Sequence, residues 1–176
     1  KATSTIELHA ADMDLDHAQI VPTGGQIYRP SAPPPSATPA QRGARGQEIA
    51  SSVTPRPGRE TMEIKFPNRL VPGNYSLGLK FHANLQHKLR GFYAAQSGNR
   101  RYAFTQLEAA DARRCFPCFD EPDFKAKFSF SVTARSGFTV ISNNPMRHSE
   151  TNANGTTTWH FTETPKLSTY LCAIGV

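Results

Sequence analysis

The stretch Glu60–Pro67, ETMEIKFP, decides the fold class. Met62, Ile64 and Phe66 are apolar, while Glu63 and Lys65 between them are charged. That period of two sends one face of an extended chain into a core and leaves the other in water. Beyond it a Pro72-Gly73 turn dipeptide leads into YSLGLKFHANL, where Tyr75, Leu77, Leu79 and Phe81 share a face. KLRGFYAA reads as another short strand, and KAKFSFSVTA has Phe128, Phe130 and Val132 in step. FTVISNNP ends a strand at a turn, GTTTWHFTETP leaves a glycine turn in β-branched and aromatic residues, and LSTYLCAIGV finishes apolar. A pattern of about seven or eight short strands with almost no 3.6-residue period predicts an all-β fold, an antiparallel β-sandwich or saddle.

Upstream the composition changes. TSTIELHA (Thr3–Ala10) reads as a strand, followed by an acid-rich turn through Asp12, Asp14 and Asp16. Residues 22–57 then hold eight of the fourteen prolines and almost no large apolar side chains. Such a segment buries too little surface to offset its ordering entropy, so it is expected to be a flexible insertion, a long proline-rich loop. Growing a loop to this length costs only about 2 kcal/mol in closure entropy, which one domain tolerates. Residues 1–176 therefore read as a single domain, expected to be incomplete at its start because the first strand needs neighbours.

The net charge of +6 is uneven, about −2 over residues 1–40, +7 over 41–100 and +1 over 101–176. Basic residues neither run in a block nor interleave with aromatics, which argues against a nucleic-acid partner. No run approaches the ~20 apolar residues of a membrane span. Cys115, Cys118 and Cys172 are too few for a disulfide scaffold, and favour a reducing, cytoplasmic compartment without fixing one.

Machinery for bond cleavage is not apparent. H-E-x-x-H, a phosphate loop and a G-x-S-x-G elbow are absent, and the six histidines are scattered along the chain. Cys115 and Cys118 form C-x-x-C without a second ligand pair, so they read as packed thiols, not a metal site. TQLEAADARRCFPCFDEP (Thr105–Pro122) holds the candidate site. In an extended strand Gln106 and Glu108 would project to one face, with Leu107 opposite. A carboxylate beside a neutral amide suits a ligand carrying an ammonium group next to a variable side chain, although a solvated strand face would look the same. Within the same stretch a single helical turn is expected at Glu108–Arg114, with Asp111 pairing Arg113 or Arg114. Phe116, Phe119 and Phe124 are expected to anchor the following corner in the core.

This stretch, continued through DFKAKFSFSV, resembles the amino-terminal β domain of zinc aminopeptidases of the aminopeptidase N type. TIELHAADMDL, LVPGNYSLGLKF, LRGFYAA, TVISNNP and LSTYLCAIGV support it in order, over residues 3–20 and 60–176. The resemblance implies a role in removing amino-terminal residues from peptides, with a thermolysin-like catalytic domain of the same protein as partner. The zinc belongs to that domain, so no cofactor is expected on this chain, and the chain alone should be inactive. By the same resemblance Glu108 grips the free α-ammonium group of a peptide substrate and Gln106 lines the first side-chain pocket. The alternative is a noncatalytic β-sandwich adaptor that binds partners through its basic proline-rich loop.

Overall fold

A computed structural model describes residues 2–23 and 48–176. They gather in two compact units, one drawn from Lys1–Glu7 and Met13–His82, the other from Leu8–Asp12 and Ala83–Val176.

The first unit is built from β1 (Thr3–His9, whose last two residues belong to the second unit), β2 (Met13–Pro22), β3 (Glu48–Ile49), β4 (Ser52–Arg56), β5 (Thr61–Leu70) and β6 (Tyr75–Ala83, whose last residue belongs to the second unit). They form two three-stranded sheets, β1-β5-β4 and β3-β2-β6. The alternation that opened the sequence is realised on β5, where Met62, Ile64 and Phe66 are buried and Lys65 is exposed. Ala18 and Ile20 of β2 are buried as well. Between β3 and β4 the chain changes sheets at a tight corner. Ala50 N donates to Ala18 O at 2.9 Å and the next amide, Ser51 N, to Lys65 O at 2.7 Å. No backbone donor is wasted in the crossing.

Two expectations are corrected here. Within the expected insertion of residues 22–57, residues 48–49 and 52–56 are strands, while 24–47 lie outside the described residues. Pro55 misled the sequence reading; it sits opposite Met62 on β4, an edge of its sheet, where a missing N–H costs no ladder bond. Likewise the acid-rich turn is confined to Asp12, with φ of +57°, because Asp14 and Asp16 belong to β2. Across the sheet both carboxylates face His82 of β6, 3.0 Å from Asp16 and 3.4 Å from Asp14.

The second unit holds β7 (Gly91–Ser97), β8 (Arg100–Gln106), β9 (Lys125–Ala126), β10 (Ser131–Arg135), β11 (Ile141–Ser142), β12 (Met146–Thr151), β13 (Thr156–Phe161), β14 (Leu167–Ser168) and β15 (Ile174–Gly175). Their sheets run β11-β15-β8-β7, β10-β13-β12 and β14-β9. Leu107, Ala112 and Cys172 form the buried centre, with Phe116, Phe128 and Phe130 packed against it. The fold is all-β and its sheets are antiparallel. Fifteen strands are described, ten of them five residues or longer, more than the seven or eight expected. The surplus is mostly two-residue pieces that no periodicity could announce. The only described helices are 3-10 turns of three residues, and none is long and apolar enough to cross a membrane.

Candidate functional site

Gln106 is the last residue of β8, which is held on both sides. On one side β7 pairs with it from Ser97↔Arg100 to Gly91↔Gln106. On the other, Val176 N donates to Ala103 O at 2.9 Å and Ile174 N to Thr105 Oγ1 at 3.0 Å. The partner of Gln106 in the ladder has to be glycine. Gly91 has φ of +64°, and a β-carbon there would stand 2.7 Å from Cβ of Arg114.

The strand stops at Gln106, so the expected two-residue extended geometry reaches Gln106 but not Glu108, which lies in the turn that follows. The alternation of environment nevertheless persists. Gln106 and Glu108 are exposed, and Leu107 between them is 3 % exposed within the hydrophobic centre. The Glu108–Ala109 peptide is cis. Asp111 N then donates to Leu107 O at 3.0 Å, closing the turn before a 3-10 turn at Ala112–Arg114.

Behind this pair stands a corner in which the charges are consumed by structure. Arg114 is buried; its Nε donates to Asp111 at 2.9 Å and its Nη1 to Asp12 at 2.5 Å. The side chain of Asp120 is only 1 % exposed. Its Oδ2 accepts from Arg113 Nε at 3.0 Å and Arg113 N at 3.2 Å, and its Oδ1 accepts from Thr169 Oγ1 at 2.8 Å. The Asp120 amide donates to Nδ1 of His9, and His9 and Cys118 exchange backbone hydrogen bonds at 2.8 and 3.0 Å. A buried carboxylate with three donors, one of them a guanidinium nitrogen, is stable where a lone one would not be.

The thiols belong to the same packing. Cys115, Cys118 and Cys172 are free, and burial pushes each thiol well above its ordinary value of 9.0, to about 12 for Cys115 and Cys172. Cys118 is raised further by the neighbouring Asp120 carboxylate, which Arg113 only partly offsets. The thiolate is the reactive form of cysteine, so burial disfavours reaction at this C-x-x-C. Of the three phenylalanines expected in the core, only Phe116 packs there. Phe119 and Phe124 are 51 % and 56 % exposed, with ring centroids 5.7 Å apart. Prolines 117 and 122 set the direction of the chain here, and composition could not say which rings that direction leaves outside.

A second constellation escaped the sequence reading. His148 and Glu150 lie two apart on β12, and His160 lies opposite His148 on β13. The imidazoles stack with centroids 4.4 Å apart, and the Nε2 atoms of His148 and His160 lie 3.3 and 3.9 Å from Glu150 Oε1. The signal was present. Asn154-Gly155 is a hairpin dipeptide, and folding the chain back around it brings residues 148 and 160 together.

Comparison with known proteins agrees with the resemblance seen in the sequence. Residues 1–171 match the model of the peptidase M1 N-terminal domain. The chain is 34 % identical to Aminopeptidase M1-A of Oryza sativa subsp. japonica over 176 residues, covering 98 % of this chain and 18 % of the relative. It is 33 % identical to Endoplasmic reticulum aminopeptidase 1 of Homo sapiens over 177 residues, 97 % of this chain and 17 % of that protein. It is 41 % identical to Aminopeptidase M1-C of Oryza sativa subsp. japonica over 121 residues, 66 % of this chain and 14 % of the relative. The chain thus spans less than a fifth of the length of these curated relatives. With its signature corner and its all-β sheets, this chain belongs to the family of peptidase M1 N-terminal domains.

Proposed function

We propose that this domain anchors the free amino terminus of a peptide substrate for a zinc-dependent aminopeptidase, and that hydrolysis is carried out by a thermolysin-like catalytic domain outside these 176 residues. Glu108 binds the α-ammonium group as a charge-assisted hydrogen-bond acceptor. Gln106 lines the first side-chain pocket, where an amide donates or accepts without imposing a charge. Zinc is supplied by the catalytic domain, and these residues alone do not turn over substrate.

The observation that carries this reading is the contrast at the end of β8. Gln106 and Glu108 stay exposed on either side of a buried Leu107, on a chain segment fixed by two strand neighbours and a closed turn. A substrate anchor needs that combination of solvent access and a rigid support. It also accounts for exopeptidase behaviour, because a carboxylate reserved for an ammonium group measures where a peptide begins.

The test is to join these residues to the catalytic domain of a close relative and follow hydrolysis of aminoacyl amides. Glu108→Ala should lower kcat/KM by about 10- to 150-fold, corresponding to loss of a charged hydrogen bond of about 1.5–3 kcal/mol. Acetylating the substrate's amine should abolish the difference between wild type and variant. Kinetics of Glu108→Ala equal to those of the wild type would remove this residue from the site.

A further inference from the structure

The sheet β10-β13-β12 presents a polar face that the anchoring role does not use. Side chains on it form rows across the strands. Ser131, His160 and His148 make one row, and Thr133, Thr158 and Glu150 the next. The ladder shifts register between Met146 and His148, so Arg147 is an extra residue. Without that bulge Arg147, not His148, would stand opposite His160. Bulges of this kind re-aim a side chain.

We propose that His148, Glu150 and His160 form a surface binding site for a divalent transition-metal ion of the zinc class. A potential ligand atom from each residue lies within 4.8 Å of the other two. The separations from Glu150 Oε1 to the two Nε2 atoms, 3.3 and 3.9 Å, are near the edge of a tetrahedron around zinc, about 3.4 Å for metal–ligand bonds of about 2.0–2.1 Å. Two imidazoles with one carboxylate suit zinc, copper or nickel, whereas magnesium and calcium require oxygen donors.

A second observation concerns orientation. His160 Nδ1 lies 2.8 Å from Ser131 Oγ, which leaves Nε2 as the nitrogen facing Glu150. Holding the far nitrogen of a ligating imidazole is how proteins fix the ring and its tautomer at a metal. Ser131 is therefore a positioning residue. The fourth position is open to water, since all three ligands keep some solvent exposure.

The test is equilibrium dialysis of the 176-residue chain against zinc chloride, with thermal unfolding followed in parallel. One ion per chain and a raised melting temperature are expected. His148→Ala and His160→Ala should each weaken binding at least tenfold and remove the thermal shift, and Ser131→Ala should weaken it by about tenfold, at the low end for an outer hydrogen bond. The double variant Cys115→Ala/Cys118→Ala should bind as the wild type does. Wild-type chain that retains no zinc, zinc lost with the cysteines, or zinc retained by both histidine variants would overturn the proposal. Circular dichroism of each variant separates loss of ligand from loss of fold.

Discussion

Glu108 and Asp120 are twelve positions apart on one continuous signature, and the molecule treats them in opposite ways. Asp120 is enclosed and saturated by Arg113 and Thr169. Glu108 sits in solvent in the turn that follows a well-held strand. Burying a carboxylate costs several kcal/mol unless its oxygens are paired, so the first acid has its oxygens committed to the fold. The second is left with its oxygens available for a ligand. The same run of residues thus holds one acid bound into the fold and one left exposed, the latter in the Leu107–Asp111 turn, where Leu107 is buried.

The largest effect should come from breaking the support. Asp120→Ala takes from the Arg113 guanidinium, at 13 % exposure, the carboxylate that stands 3.0 Å from its Nε, and from Thr169 the acceptor of its hydroxyl. A loss of about 3–5 kcal/mol is expected, read from the urea midpoint. A loss below about 1 kcal/mol would mean that the corner draws its stability from elsewhere. Next is Leu107→Ala, which removes the side chain around which Gln106 and Glu108 are arranged. A cost of about 2–5 kcal/mol is expected from lost transfer energy and the cavity left behind. If both substitutions are mild, the contrast between a rigid corner and an exposed pair fails.

The thiols sharpen the same contrast through pH. Because burial raises their folded-state values to about 12 from 9.0, the folded protein holds these protons more tightly than the unfolded chain does. Their contribution to stability is complete below about pH 9 and is lost as pH rises from there toward about 12. Tyrosines and lysines also titrate in that range, so the measurement is a difference. The alkaline fall in the urea midpoint should be shallower in Cys115→Ala/Cys172→Ala than in the wild type. Alkylation of the native chain at about pH 8 should be slow until urea opens the corner, because the thiolate is the reactive form.

What the sequence made legible was set by local periodicity. Met62, Ile64 and Phe66 alternate because β5 buries one face, and that pattern is visible in any window. The Leu107 alternation was legible for the same reason, even though the strand ends before Glu108. The failures are places where tertiary partners decide. Asp14 and Asp16 looked like a turn until His82 on a neighbouring strand supplied their partner. Pro55 looked like a loop until β4 proved to be an edge. Phe119 and Phe124 looked like core, since hydrophobicity is blind to the direction in which a proline-constrained corner sends its rings. His148 and His160 come together only after a hairpin and a bulge fix the register.

The smallest effect expected on stability is also the most discriminating. Glu108→Gln removes a charge that no described hydrogen bond or ion pair employs, and it keeps the side chain's shape. Stability should change by no more than about 0.5 kcal/mol, as for other exposed positions free of structural duties. In the enzyme assembled with a catalytic domain, the same substitution should still depress kcat/KM, because an amide cannot neutralise an ammonium group. The two measurements pull apart only if Glu108 is reserved for a ligand. A variant that lost stability and activity in proportion would place Glu108 with Asp120, as one more strut of the corner.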